Sequence, residues 1–199
     1  MSLPHAVGDA AIDLVLEGYE VADADSPLAG KRWTIEHGFV PQPDQLPRMK
    51  QLGLHISAQN HLYVAAPSVR KYWGATRADS LTPVRSYLDA GLSVSLGTDA
   101  PVIPYSPITV LYHFITRDTI SAGVVGPEQK LQPEEALRLS SIGNAELTFE
   151  EDIKGSLEVG KLADFVVLSE DILTVPENRI KDIDVVMTVV GGRVVYRND

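Results

Sequence analysis

Three side chains of metal-ligating type stand at the ends of short β-prone stretches. His5 lies just before Gly8-Asp9, His37 closes Arg32-Trp33-Thr34-Ile35-Glu36-His37, and Asp99 follows Leu92 to Leu96 through Gly97-Thr98. Two neutral imidazoles and a carboxylate are the donors that a borderline divalent ion such as zinc takes when thiolates are absent. The chain contains no cysteine, so disulfides and thiolate sites are excluded and a metal must be held by His, Asp or Glu. A carboxylate at a metal can also take the proton of an attacking water, so the chemistry in question is metal-assisted hydrolysis. Each residue also has a plainer role open to it. A strand-end histidine is often a hydrogen-bonded structural group, and Asp99 before Ala100-Pro101 suits a turn or a helix cap.

Distant side chains meet only if the elements between them bring strand ends together. From Pro4 to about Asn144 the pattern alternates helix, short strand and loop, which predicts parallel β/α units. Asp9 to Glu20 reads as a helix with Ile12, Leu14, Val15, Leu16 and Tyr19 at helical spacing and Asp9 as a cap. Asp44 to Leu52 is a second helix, stopped by Gly53. Leu54 to Ala58 is a strand, Pro83 to Ala90 a helix, and Leu92 to Leu96 a strand. Pro107 to Arg117 and Pro133 to Ser141 are further helices, the last with Glu134-Glu135 where the helix dipole favours acids. In a β/α barrel the site forms at the C-terminal ends of the strands, which is where all three candidate residues stand. After about residue 152 the chain becomes Val-rich. Ala163 to Leu168 and Asp184 to Tyr196 read as antiparallel strands, with Gly191-Gly192 as a tight hairpin turn.

Composition narrows the class. The chain has 199 residues, 44% hydrophobic, enough for a sizeable core. Its formal charge of −10 and its scattered Lys and Arg leave no footprint for nucleic acid or anionic membrane surfaces. No apolar run approaches the roughly 20 residues that span a bilayer, and there is no export signal, so a cytoplasmic location is the default expectation. Met1-Ser2-Leu3 runs directly into the first strand end, which suggests a truncated chain with a short added leader.

The chain resembles the amidohydrolase superfamily, specifically amidohydrolase family 3. The resemblance is carried by His5-Ala6-Val7-Gly8-Asp9-Ala10-Ala11, Ile35-Glu36-His37-Gly38, Arg48 with Leu52-Gly53, Gln59 to His61, and Gly97-Thr98-Asp99-Ala100-Pro101-Val102. It continues through Glu135-Ala136-Leu137 and Gly155-Ser156-Leu157-Glu158-Val159-Gly160-Lys161-Leu162-Ala163-Asp164, in the family's order. It implies the C-terminal part of a TIM (β/α)8 barrel, about strands 5 to 8, over residues 1–150, and part of a small composite β-sandwich over 151–199. By the same resemblance His5 and His37 are metal ligands and Asp99 is both ligand and general base. Gln59 and His61 lie toward the substrate, although a water-exposed loop histidine is an equal reading of His61. The implied activity is hydrolysis of non-peptide carbon–nitrogen bonds in a small-molecule substrate, with one or two divalent ions, zinc first among them.

The departures matter as much. The family's His-x-His pair and its strand-four lysine or acid are not in this sequence, so the chain alone is expected to be inactive. Asn60 stands where relatives usually have proline. Two competing readings follow: a noncatalytic partial barrel that self-associates as a homo-oligomer through open sheet edges, or a barrel isomerase or hydrolase with another substrate class. His55 and His113 read as structural and Arg77 as a surface ion pair or a family arginine. Glu150-Glu151-Asp152 reads as a solvated linker, and Gly38 and Gly97 as close backbone approaches.

Overall fold

The computed structural model describes residues 2–198; Met1, part of the expected leader, and Asp199 lie outside the described residues. The chain runs β1 (His5–Ala6), α1 (Asp9–Asp25), β2 (Thr34–His37), α2 (Gln45–Gln51), β3 (His55–Gln59), α3 (Leu62–Trp73), α4 (Ala75–Asp79), α5 (Val84–Asp89), β4 (Ser93–Gly97), α6 (Pro107–Thr116), α7 (Pro133–Ser140), α8 (Ile142–Leu147), β5 (Phe165–Leu168), β6 (Val185–Val190) and β7 (Arg193–Arg197). Strands β1 to β4 form one parallel sheet in sequence order, and β5-β6-β7 form a separate antiparallel sheet. The alternation read from the sequence therefore holds. Among the described residues no helix is long and apolar enough to cross a membrane.

Strand pleating sorts the parallel sheet into two chemically different faces. Ile35, Ile56, Ala58, Val94 and Leu96 join Ile12, Leu16, Tyr19, Met49, Tyr87, Val110 and Phe114 of the helices in one core. Each such apolar side chain taken from water contributes about 1.5–3 kcal/mol. The opposite face carries Glu36, Ser57 and Gln59, with Glu36 registered against Ser57 across β2 and β3. Ile172, Ile180 and Ile183, from the connection between β5 and β6, pack into the same main core.

Several boundaries differ from the sequence reading, each for a local reason. Helix α1 continues past Glu20 to Asp25, since nothing breaks it before Ser26-Pro27. Asp9 is the first helical residue rather than the N-cap, which is Gly8; its carboxylate accepts from Ala10 N at 2.9 Å through one oxygen and from Arg77 and Gln42, each at 3.1 Å, through the other. Helix α3 escapes a pattern search because Pro67 lies inside it. Proline has no N–H to give the Tyr63 carbonyl one turn back, and that carbonyl accepts from Ile120 N at 2.9 Å, so the helix survives. Two of the three acids after α8 are ion-paired, and only Asp152 is exposed as a solvated linker residue would be. Glu151 takes the Arg32 guanidinium, which emerges beside it just before β2, through two bonds, one of 2.9 Å, and Glu150 pairs with Lys154 four residues on.

Gly38 meets its expected need: at φ +50 an added Cβ would stand 2.9 Å from Tyr87 Oη, whose hydroxyl donates to the Gly38 carbonyl. Gly97 has no such need, its nearest neighbour being Gln59 Cγ at 4.0 Å. Gly191 and Gly192 both take positive φ and close the β6–β7 hairpin as expected.

Candidate metal centre

The short edge strand β1, which His5 opens, the end of β2 and the turn after β4 bring His5, His37 and Asp99 to one side of the sheet, and the turn after β3 adds His61. His5 Nδ1 lies 2.8 Å from His37 Nε2, and His61 Nε2 lies 2.9 Å from Asp99 Oδ2. The rings of His37 and His61 meet edge to face with centroids 5.1 Å apart, which joins the two pairs. His37, His61 and Asp99 each offer one donor atom, all within 4.8 Å of one another. His5 joins this cluster through His37 and is exposed, on the two-residue edge strand.

Backbone geometry at the strand ends aims these groups. His37 and Asp99 have φ of +79 and +57, left-handed conformations that cost a non-glycine residue about 1–2 kcal/mol. At His37 this interrupts the alternation of β2. Pleating alone would send its ring to the face away from Glu36, yet His37 Nδ1 reaches Gln59 Oε1 at 2.7 Å.

Protonation follows from the partners. Burial pushes the His61 imidazole below the ordinary histidine range, and its bond to Asp99 opposes that shift without reversing it. At neutral pH His61 is therefore uncharged, and its Nε2–H donates to the Asp99 carboxylate. His37 offers its Nδ1 proton to the amide oxygen of Gln59, so its Nε2 bears a lone pair on the side of His5.

This donor set fits a divalent metal. Ligands at about 2.0–2.2 Å from one zinc ion stand roughly 3–4 Å apart, close to the spread of the three donor atoms, and no thiolate competes. His37 Nε2 and Asp99 Oδ2 would bind directly; ligation by His61 Nε2 requires that its proton leave.

The amidohydrolase family model, Amidohydro_3, matches residues 2–196. The chain belongs to the amidohydrolase family. This amidohydrolase chain is 32% identical over 198 residues to the N-substituted formamide deformylase of Arthrobacter pascens, covering 96% of itself and 36% of that protein. Its fold is similar to an uncharacterized metal-dependent hydrolase from Pyrococcus horikoshii, with TM-score 0.75, 26% identity, and coverage of 88% of this chain and 35% of that one. A second uncharacterized metal-dependent hydrolase, from Pyrococcus furiosus, matches at TM-score 0.68 and 30% identity, over 86% of this chain and 34% of that one. The amidohydrolase chain thus spans about a third of the length of these relatives.

Of the residues singled out in the sequence, His5, His37 and Asp99 come together in this amidohydrolase chain, and His61 sits among them. Gln59, expected toward substrate, is buried with its amide oxygen on His37 and its nitrogen on Glu36 and Ser57. His55 and His113 lie apart and buried, each pushed down by burial, to about 4 and about 3, so both are neutral packing groups. Arg77 stacks over the Trp73 ring besides its ion pair with Asp9. Asn60 is fully buried, its side-chain amide making no protein hydrogen bond. Sequence reasoning passed over Glu36 and Ser57 as functional positions. Their signal was available as polar residues at alternate positions, Thr34 and Glu36 in β2 and His55, Ser57 and Gln59 in β3, between the apolar Ile35, Ile56 and Ala58.

Proposed function

We propose that this chain supplies the His5, His37 and Asp99 side of the metal centre of an amidohydrolase that cleaves non-peptide carbon–nitrogen bonds. The carrying observation is that the donor atoms of His37, His61 and Asp99 lie within 4.8 Å of one another, with His5 Nδ1 joined to the group through His37 at 2.8 Å, and that His37 and Asp99 are both held at positive φ. A divalent ion, zinc by its donor preference, supplies Lewis acidity and lowers the pKa of a water. Asp99 takes the proton of the attacking water and returns it to the leaving nitrogen. His61 donates to Asp99 and so holds the carboxylate in one orientation, while His37 keeps a lone pair on the site. Residues 1–150 form about strands 5 to 8 of the family barrel and 151–199 contribute to a small β-sandwich. The missing strands carry the remaining ligands, and the chain alone is inactive.

Similarity to the formamide deformylase makes N-substituted formamides the first substrates to assay. In the full-length protein Asp99→Asn should lower kcat/KM by about 10²-fold or more, the range for loss of a positioned base. Turnover unchanged in that variant removes the assignment. Robust turnover by the 199-residue chain alone would contradict its dependence on the missing strands.

A further inference from the structure

Gln59 is too buried and too fully bonded to greet a substrate, and its bonds have a direction. The Glu36 carboxylate only accepts hydrogen bonds. Gln59 Nε2 donates to Glu36 Oε1, and also to Ser57 Oγ at 3.1 Å. Ser57 Oγ in turn donates to Glu36 Oε1 at 2.9 Å, so the three side chains form a closed triangle in which the acid accepts from both others. With its nitrogen held there, the Gln59 amide can present only its oxygen to His37 Nδ1, 2.7 Å away. His37 must then carry its proton on Nδ1 and leave Nε2 unprotonated, an acceptor toward His5 Nδ1 at 2.8 Å.

We propose that Glu36 and Ser57 act through Gln59 as positioning residues that fix the His37 tautomer and aim its Nε2 lone pair at the metal site. An isolated amide beside a histidine can flip, offering NH2 and stabilising the wrong tautomer; a carboxylate behind it removes that choice. The register supports this, since Glu36 and Ser57 are direct cross-strand partners and Gln59 is two residues further along the same face of β3. The consequence for metal affinity rests on the metal-centre reading above; the tautomer assignment does not.

The test uses the full-length protein labelled with 15N-histidine, with His37→Asn to assign the His37 signals. In the metal-free parent, His37 should show a protonated Nδ1 and an unprotonated Nε2. Glu36→Gln keeps the side-chain volume but lets residue 36 donate, so the Gln59 amide is released and the Nε2–H tautomer gains population. Zinc affinity, measured by competition with a chromogenic chelator, should weaken about 10- to 100-fold in Glu36→Gln and in Gln59→Leu. Because Glu36 acts through Gln59, the double variant should bind zinc no more weakly than Gln59→Leu alone. A parent His37 protonated on Nε2 overturns the proposal without any variant. So does unchanged zinc affinity in Glu36→Gln, or independent multiplication of the two losses in the double variant. If the parent binds no zinc, the metal reading fails while the tautomers of parent and Glu36→Gln still decide the relay.

Discussion

Acid should weaken this fold through one imidazole, and His55→Leu isolates the effect. His55 opens β3, is 1% exposed, and makes no protein hydrogen bond through either ring nitrogen. Burial first, and the nearby Arg32 charge second, pull it down to about 4. In the unfolded chain its pKa is about 6.5. Between those values the unfolded state binds the proton and the folded state does not. The stability it shares in is complete above about pH 6.5 and drains away as pH falls toward 4. Linkage over pH 7 to 5 amounts to about 2 kcal/mol for this residue. Leucine has a similar volume and nothing to titrate. The variant should hold its stability at pH 7 or gain slightly, because two unpaired buried nitrogens disappear. Between pH 7 and 5 it should lose about 2 kcal/mol less than the parent. Urea unfolding of both proteins at both pH values measures the double difference, in which His113 and the carboxylates cancel. Equal losses in parent and variant would show that His55 titrates normally and refute the reasoning.

Other expectations are equally direct. Arg117 is fully buried, with its guanidinium donating to the carbonyls of Leu81, Thr82 and Val125 at 2.9, 3.2 and 3.0 Å. Arg117→Met strands the Leu81 and Val125 carbonyls, while that of Thr82 keeps the Val84 N–H at 2.9 Å, and should cost about 2–5 kcal/mol by urea unfolding. At Gly143 in α8 an added Cβ would lie 2.7 Å from the Val94 carbonyl of β4. Gly143→Ala should force α8 off the strand and cost roughly 1–3 kcal/mol, read as a lowered urea midpoint. For the full-length protein, zinc at about 100 times its Kd should add about 2.7 kcal/mol of stability. Calorimetry should show the melting temperature rising with zinc and returning on chelation.

Much of the fold was written in local pattern. Period-two apolar stretches closed by Gly-Thr-Asp or Glu-His-Gly, alternating with helical spacing, were enough for parallel β/α units, and Gly191-Gly192 was enough for the hairpin. His5, His37 and Asp99 were legible for the same reason: strand ends in a parallel sheet share one side, so end position alone predicts convergence. Tertiary structure decided the rest. Helix α3 was hidden because Pro67 is tolerable only once Ile120, 53 positions beyond, accepts the role of bonding Tyr63. Glu151 found its partner in Arg32, 119 residues away, and no linear pattern encodes that pairing. Gln59 and His61 stood out by type, but their directions depend on Glu36 and Asp99, which lie near them only after β2, β3 and β4 pair. Hydrophobic periodicity acts between neighbours along the chain and can be read there; hydrogen-bond direction is set by whichever group the fold places opposite, and that is settled in three dimensions.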